Sequence, residues 1–181
     1  YNFFQRGKVE YVDYRVDNKK EALRNAEHYY RTALEYDSTF AEAYAGLALT
    51  YMEKTYPTLN YFSENFLDST LILADRALSY NDHLAEAYYA RAMYYKIHKK
   101  NEQALKEFDK VLKYNPNYWE VYNQQASMYL DSDYIKAIGC KLKVISLNHG
   151  QELPGFMNSL GVLFGFYAGF PEKAKYYFQQ A

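Results

Sequence analysis

The sequence predicts an all-α chain of about five stacked antiparallel helix hairpins, and three observations lead there. The eleven residues AEAYAGLALTY at 41–51 return as AEAYYARAMYY at 85–95, and a weaker copy, WEVYNQQASMY, begins at Trp119, 34 residues after Ala85. Repetition at such a period marks a protein built by stacking similar units. Within the best copy, Tyr88, Ala92 and Tyr95 are spaced by four and three, which puts them on one face of an α-helix. Ala104, Phe108 and Val111 repeat that spacing after the turn KIHKKNE. Asn115 and Pro116 then close the unit, because a residue before proline is disfavoured in the α region and proline has no N–H to continue a helix.

The elements follow in order. In the first unit, about 1–40, Gly7 and Tyr11 precede a lengthened turn, VDYRVDNKK, and Ala26, Tyr30 and Ala33 mark the returning helix. In the second, about 41–84, Tyr44, Ala48 and Tyr51 lie on the first helix and Ala74 and Ala77 on the second. Its 44-residue interval exceeds the 34-residue one by ten, and the extra residues fall in MEKTYPTLNYFSEN, where Pro57 and Asn60 signal a turn between lengthened helices. The third unit is 85–118. The fourth, about 119–152, has Tyr122, Ala126 and Tyr129, then Ala137, but sets Lys141 where an aromatic is expected. Asp131 and Asp133, in its DSDY turn, read as helix-capping residues rather than an acid-base pair. The fifth, about 153–181, carries Leu160, Gly161, Phe164, Ala174, Phe178 and Ala181 and is incomplete.

Composition narrows the function classes. Hydrophobic residues make up 49% and charged residues 24%, which suits an ordered globular chain rather than a disordered one. A net charge of −1 with scattered Lys and Arg excludes the basic stripe of a nucleic-acid binder. The apolar run Leu153–Pro171 is interrupted by Asn158 and Ser159 and falls short of a membrane span, so no insertion is expected. The single cysteine, Cys140, has no partner for a disulfide, and the four histidines are isolated, so no metal or cofactor is expected. No phosphate loop, nucleophile elbow or paired metal-binding histidines occur, so no catalytic residue is assigned and no enzyme is expected. The column Glu42, Glu86 and Glu120 recurs at the helix starts, where a carboxylate suits the N-terminal dipole.

The unit at 85–116 resembles a tetratricopeptide repeat. Tyr88, Ala92, Tyr95, Ala104, Phe108 and Pro116 match that family's pattern of small and aromatic residues without a gap, Val111 being slightly large. The resemblance covers essentially the whole chain and implies a single right-handed superhelical solenoid domain; from its first residue, Tyr1, and its uncapped last helix the chain is expected to be a fragment of something longer. Its first third, with Arg6 and Gly7, the phrase Ala33, Leu34 and Asp37, and AYAGLA at 43–48, is similar to repeat domains in bacterial multidomain regulators.

The resemblance further implies a groove lined by the first helices that binds a peptide or protein segment. Its candidate residues are Leu49, Met52, Tyr89, Met93, Lys96, Asn123, Ser127, Leu130 and Asn158. The family's clamp for a carboxyl-terminal tail needs paired basic residues that these positions lack. The expected function is therefore a non-catalytic scaffold, the sensory or docking part of a larger regulator. The alternative is a structural module of a secreted or periplasmic repeat protein that self-associates through its terminal repeats, where Phe164, Phe166, Phe170 and Phe178 gather. The compartment is left open, with the cytoplasm preferred and the periplasm as the alternative.

Overall fold

The computed structural model describes residues 2–55, 66–150 and 152–181, all of them in helices, turns or short connections. The turn expected at Pro57 and Asn60 lies outside the described residues. The chain divides into two compact units, Tyr1–Tyr114 and Asn115–Ala181.

The first unit holds α1 (Asn2–Asp17), α2 (Lys20–Tyr36), α3 (Ala41–Thr55), α4 (Leu67–Tyr80), α5 (Ala85–Ile97) and α6 (Asn101–Tyr114). Each odd-numbered helix packs along the next even one, α3 also meets α1, α2 and α5, and α4 meets α5. Small residues sit where helices cross closely: Ala26, Ala48, Ala74, Ala77, Ala92 and Ala104 are fully buried. Thr70 is equally buried, and its hydroxyl donates to the Phe66 carbonyl at 3.1 Å, so a polar residue serves as a small one.

The first turn is shorter than the sequence suggests. Residues 12–17 continue α1, and only Asn18 and Lys19 separate it from α2. Continuing the helix buries Tyr14 against Ala22 and Leu23. Asn18 takes a left-handed φ of 56°, which asparagine tolerates better than most residues, and its N–H donates to the Tyr14 carbonyl at 2.7 Å.

Tyr30, on α2, fills a slot between two glycines. A Cβ added at Gly7 would stand 2.8 Å from its ring, and one at Gly46 would stand 2.5 Å from it. The ring, 2% exposed, thus lies between α1 and α3.

Tyrosines build three of the junctions between hairpins. Each junction opens with an Asx turn: Asp37 Oδ1 accepts from Thr39 N–H at 2.9 Å, Asn81 Oδ1 from His83 N–H at 3.1 Å, and Asn115 Oδ1 from Asn117 N–H at 3.1 Å. A tyrosine in the first turn of the following helix then reaches back. Tyr44 donates to the Ser38 carbonyl at 3.2 Å, Tyr88 to Asp82 at 3.0 Å and Tyr122 to Pro116 at 3.3 Å. Tyr44 also stacks on Tyr80, and Tyr88 on Tyr114, the last residues of α4 and α6. Tyr88→Phe keeps the stack and removes the bond, so it is expected to destabilise the unit by about 0.5–1.5 kcal/mol. Urea unfolding of the two chains measures the difference.

The second unit holds α7 (Trp119–Tyr129), α8 (Tyr134–Leu147), α9 (Leu153–Val162), a π-helical turn (Leu163–Tyr167) and α10 (Pro171–Gln180). Asp133 caps α8, its Oδ1 accepting from the Lys136 N–H at 3.0 Å. Proline at the first position of α10 forfeits only an N–H that a helix start leaves unpaired. The core is Ala137, Leu160, Leu163, Phe164 and Ala174, with Tyr177 stacked on Phe164 at 5.5 Å. Gly161 leaves room for the Phe178 ring, which a Cβ would approach to 2.7 Å. Phe166, on the π-helical turn, stands 87% exposed. Among the described residues no helix is long and apolar enough to cross a membrane.

Candidate functional site

The groove positions separate by burial. Leu49, Met52, Tyr89 and Met93 are 7%, 2%, 4% and 1% exposed, so in the first unit these side chains lie inside the protein. The Tyr89 ring packs against Phe108 at 6.0 Å. Lys96 is half-buried, and burial lowers the pKa of its ammonium. In the second unit Asn123 and Leu130 are half-buried, while Ser127 and Asn158 are exposed. The surface chemistry available at these positions is therefore chiefly that of the second unit.

Two ionic clusters tie the first unit together. On α2, Glu27 receives the ammonium of Lys54, the Tyr51 hydroxyl at 2.8 Å and Arg31 Nε at 2.9 Å, and Arg31 also donates to the Tyr51 oxygen. The Lys54 side chain is 4% exposed. The second cluster joins three helices: Arg91 on α5 donates to Asp75 of α4 at 3.0 Å and twice to Glu107 of α6, at 3.0 and 2.6 Å. Lys110 adds a further bond to Glu107 at 3.0 Å. Apart from Tyr51, a repeat position, none of these residues stands out in the sequence, since nothing local pairs carboxylates and cations from different helices.

Burial pushes the Glu27 carboxyl up, but its bonds to Lys54, Tyr51 and Arg31 outweigh this and hold it below the usual carboxylate range. A depressed folded-state pKa contributes stability above the unfolded value of about 4.3, and that contribution disappears as pH falls through the folded value. Glu27→Gln is therefore expected to narrow the gap between neutral and acid stability. Urea midpoints collected across the acid range for both chains give the comparison; parallel curves would contradict it.

Nearby, Glu53 accepts from the Tyr11 hydroxyl at 3.3 Å and lies 3.6 Å from Arg15. Burial raises its pKa against the pull of Arg15 and Tyr11. A shallow pocket of about 270 Å³ lies on the α1–α2 face, lined by Gln5, Arg6, Val9, Glu10 and Tyr29, with Arg6 over the Tyr29 ring at 4.3 Å. Among the described residues no group of three His, Cys, Asp or Glu side chains converges to hold a metal ion. Burial raises the pKa of the Cys140 thiol, which disfavours the reactive thiolate.

The second unit offers a mixed polar and aromatic face. Lys141 of α8 donates from Nζ to Asn123 Oδ1 of α7 at 2.7 Å and sits 5.7 Å from the centroid of Phe156, on α9. Trp119, at the start of α7, packs on Phe156 with ring centroids 5.2 Å apart. Lys141 thus occupies the place that Phe108 fills in the first unit, and it brings one of the groove asparagines together with two rings. Asn123 is a groove position by count along its helix; its grouping with Lys141, Phe156 and Trp119 comes only from the fold.

No family model and no curated protein matches the sequence. Solved structures do resemble the fold. A tetratricopeptide-repeat protein of Thermus thermophilus, TTC0263, is similar at a TM-score of 0.69 and 18% identity, over 99% of this chain and 88% of that one. PilF of Pseudomonas aeruginosa is similar at 0.68 and 19%, over 98% and 75%. YrrB, described as a tetratricopeptide-repeat protein with an unusual peptide-binding site, is similar at 0.54 and 19%, over 97% and 80%.

Proposed function

Because the chain has the tetratricopeptide-repeat fold, we propose that it is a non-catalytic scaffold that binds an extended peptide or protein segment, as the sensory or docking part of a larger bacterial regulator. What supports this reading is exposure: the groove positions that the repeat pattern assigns in the second unit are half-buried at Asn123 and Leu130 and exposed at Ser127 and Asn158, so they offer amides, a hydroxyl and an apolar side chain. Amide side chains bond a peptide backbone while the apolar residue covers its side chains. The regulator context rests on the similarity of residues 6–48 to repeat domains of such proteins, and YrrB's peptide-binding site supports peptide as the ligand class. The test is capture on an array of synthetic peptides by the wild type and by a chain carrying Asn123→Ala, Ser127→Ala and Asn158→Ala. Loss of the captured set with the helical circular dichroism intact is the expected result. An unchanged set moves the site elsewhere, and a blank array with the wild type ends the peptide reading.

A second reading, self-association through the last hairpin, is favoured by the exposure of Phe166, Phe170 and Phe178, at 87%, 53% and 46%. Concentration-dependent sedimentation that Phe166→Ser abolishes would support it.

A further inference from the structure

Lys141 is out of keeping with its surroundings. Its half-buried ammonium is held by a neutral amide, Asn123, and lies over the Phe156 ring, and among the described residues no carboxylate lies within ion-pairing distance of it. Desolvation lowers its pKa with nothing of opposite charge to offset it. A partly desolvated cation of this kind gains from an anion. The neighbouring amide sharpens the requirement. The bond from Lys141 orients the Asn123 oxygen toward the ammonium and leaves the NH₂ group of Asn123 beside it, so ammonium and amide both present donors. An ionised carboxylate, which only accepts, satisfies both at once. Trp119 and Phe156, tilted at 59° and 5.2 Å apart, add apolar surface beside this donor pair for the carbon chain that carries the carboxylate.

We propose that Lys141 and Asn123, beside the Trp119–Phe156 pair, form a subsite for the acidic side chain of a bound peptide. This rests on the peptide-scaffold reading and specifies its ligand as acidic.

The chain has one tryptophan, so the emission of Trp119 reports on the subsite directly. The probes are a peptide alternating Glu with Leu and its counterpart with Gln in place of Glu. The Glu peptide is expected to alter the emission and to bind at least about tenfold tighter than the Gln peptide, the gain usual for bonds to charged groups. Lys141→Met is expected to abolish that preference, bringing the affinity for the Glu peptide down to that for the Gln peptide. Its melting temperature is expected to shift upward, because an apolar side chain replaces a partly buried cation, and this shows that lost preference is not lost folding. Lys141→Arg is expected to keep the preference. Equal affinity for the two peptides, or a preference that survives Lys141→Met, overturns the subsite and leaves the scaffold reading standing. If neither peptide moves the emission while the synthetic array shows capture, the subsite alone again fails. A blank array as well overturns both.

Discussion

Alanine at Gly46 is expected to destabilise the Tyr1–Tyr114 unit by about 1–3 kcal/mol, the usual effect of forcing a methyl into a filled core. The sign is opposite to that of the same exchange in an open helix, where alanine gains roughly 0.5–1 kcal/mol. Steric conflict wins because the added Cβ would lie 2.5 Å from the Tyr30 ring, and Gly7 blocks the ring from moving away on its other side. Tyr30→Ala is expected to cost about 3–5 kcal/mol, the range for removing a buried aromatic. The two effects are coupled, so in the Tyr30→Ala chain the Gly46→Ala exchange loses its penalty and turns mildly favourable. Urea titration of the wild type, both single variants and the double variant completes the cycle. Additive effects would mean that ring and glycine do not share a slot.

Arg91→Met is the second large effect. The Glu107 side chain is 9% exposed, and Arg91 supplies two of its bonds while also holding Asp75. Removing the guanidinium leaves that carboxylate with Lys110 alone. Breaking a buried pair costs about 3–5 kcal/mol; because the Arg91 side chain retains 20% exposure, about 2–3 kcal/mol is expected here. Pairing the change with Glu107→Leu is expected to restore most of the loss, since no buried charge is then left behind: Asp75 and Lys110, the partners that remain, are 53% and 44% exposed. Thermal unfolding of the single and double variants reads both outcomes, and a double variant no more stable than Arg91→Met would show that the ionic network itself is needed.

The hairpins were legible because their signal is local. Tyr88, Ala92, Ala104 and Phe108 announce two helices by spacing alone, and the fold packs them as that spacing requires. What spacing does not reveal is which helix covers a given face. Leu49, Met52, Tyr89 and Met93 occupy groove positions by count along the helix, yet α3 meets α1, α2 and α5, and these residues are buried. Long-range pairing was likewise out of reach. Gly7 and Gly46, 39 positions apart, form one slot only because Tyr30 arrives between them from a third helix. Lys141 read as a mismatch in the repeat, and only the neighbours that folding supplies, Asn123 and Phe156, give it a chemical meaning. The extension of α1 to Asp17 was missed because Asn18 and Lys19 suffice for the turn, so the polar letters before them were free to be helix.

The junction of Asx turn and back-bonded tyrosine has a bearing on engineering. Its hydrogen bonds span no more than six residues and are set locally, while the stacks of Tyr44 on Tyr80 and of Tyr88 on Tyr114 tie each of those tyrosines to the last residue of its own hairpin. The 34-residue segment Asn81–Tyr114 begins with one such turn, carries its back-bonded Tyr88 and ends on Tyr114, which stacks on that same Tyr88. Inserted in tandem, it would bring both halves of a compatible joint with it, making this chain a ready parent for arrays of chosen length.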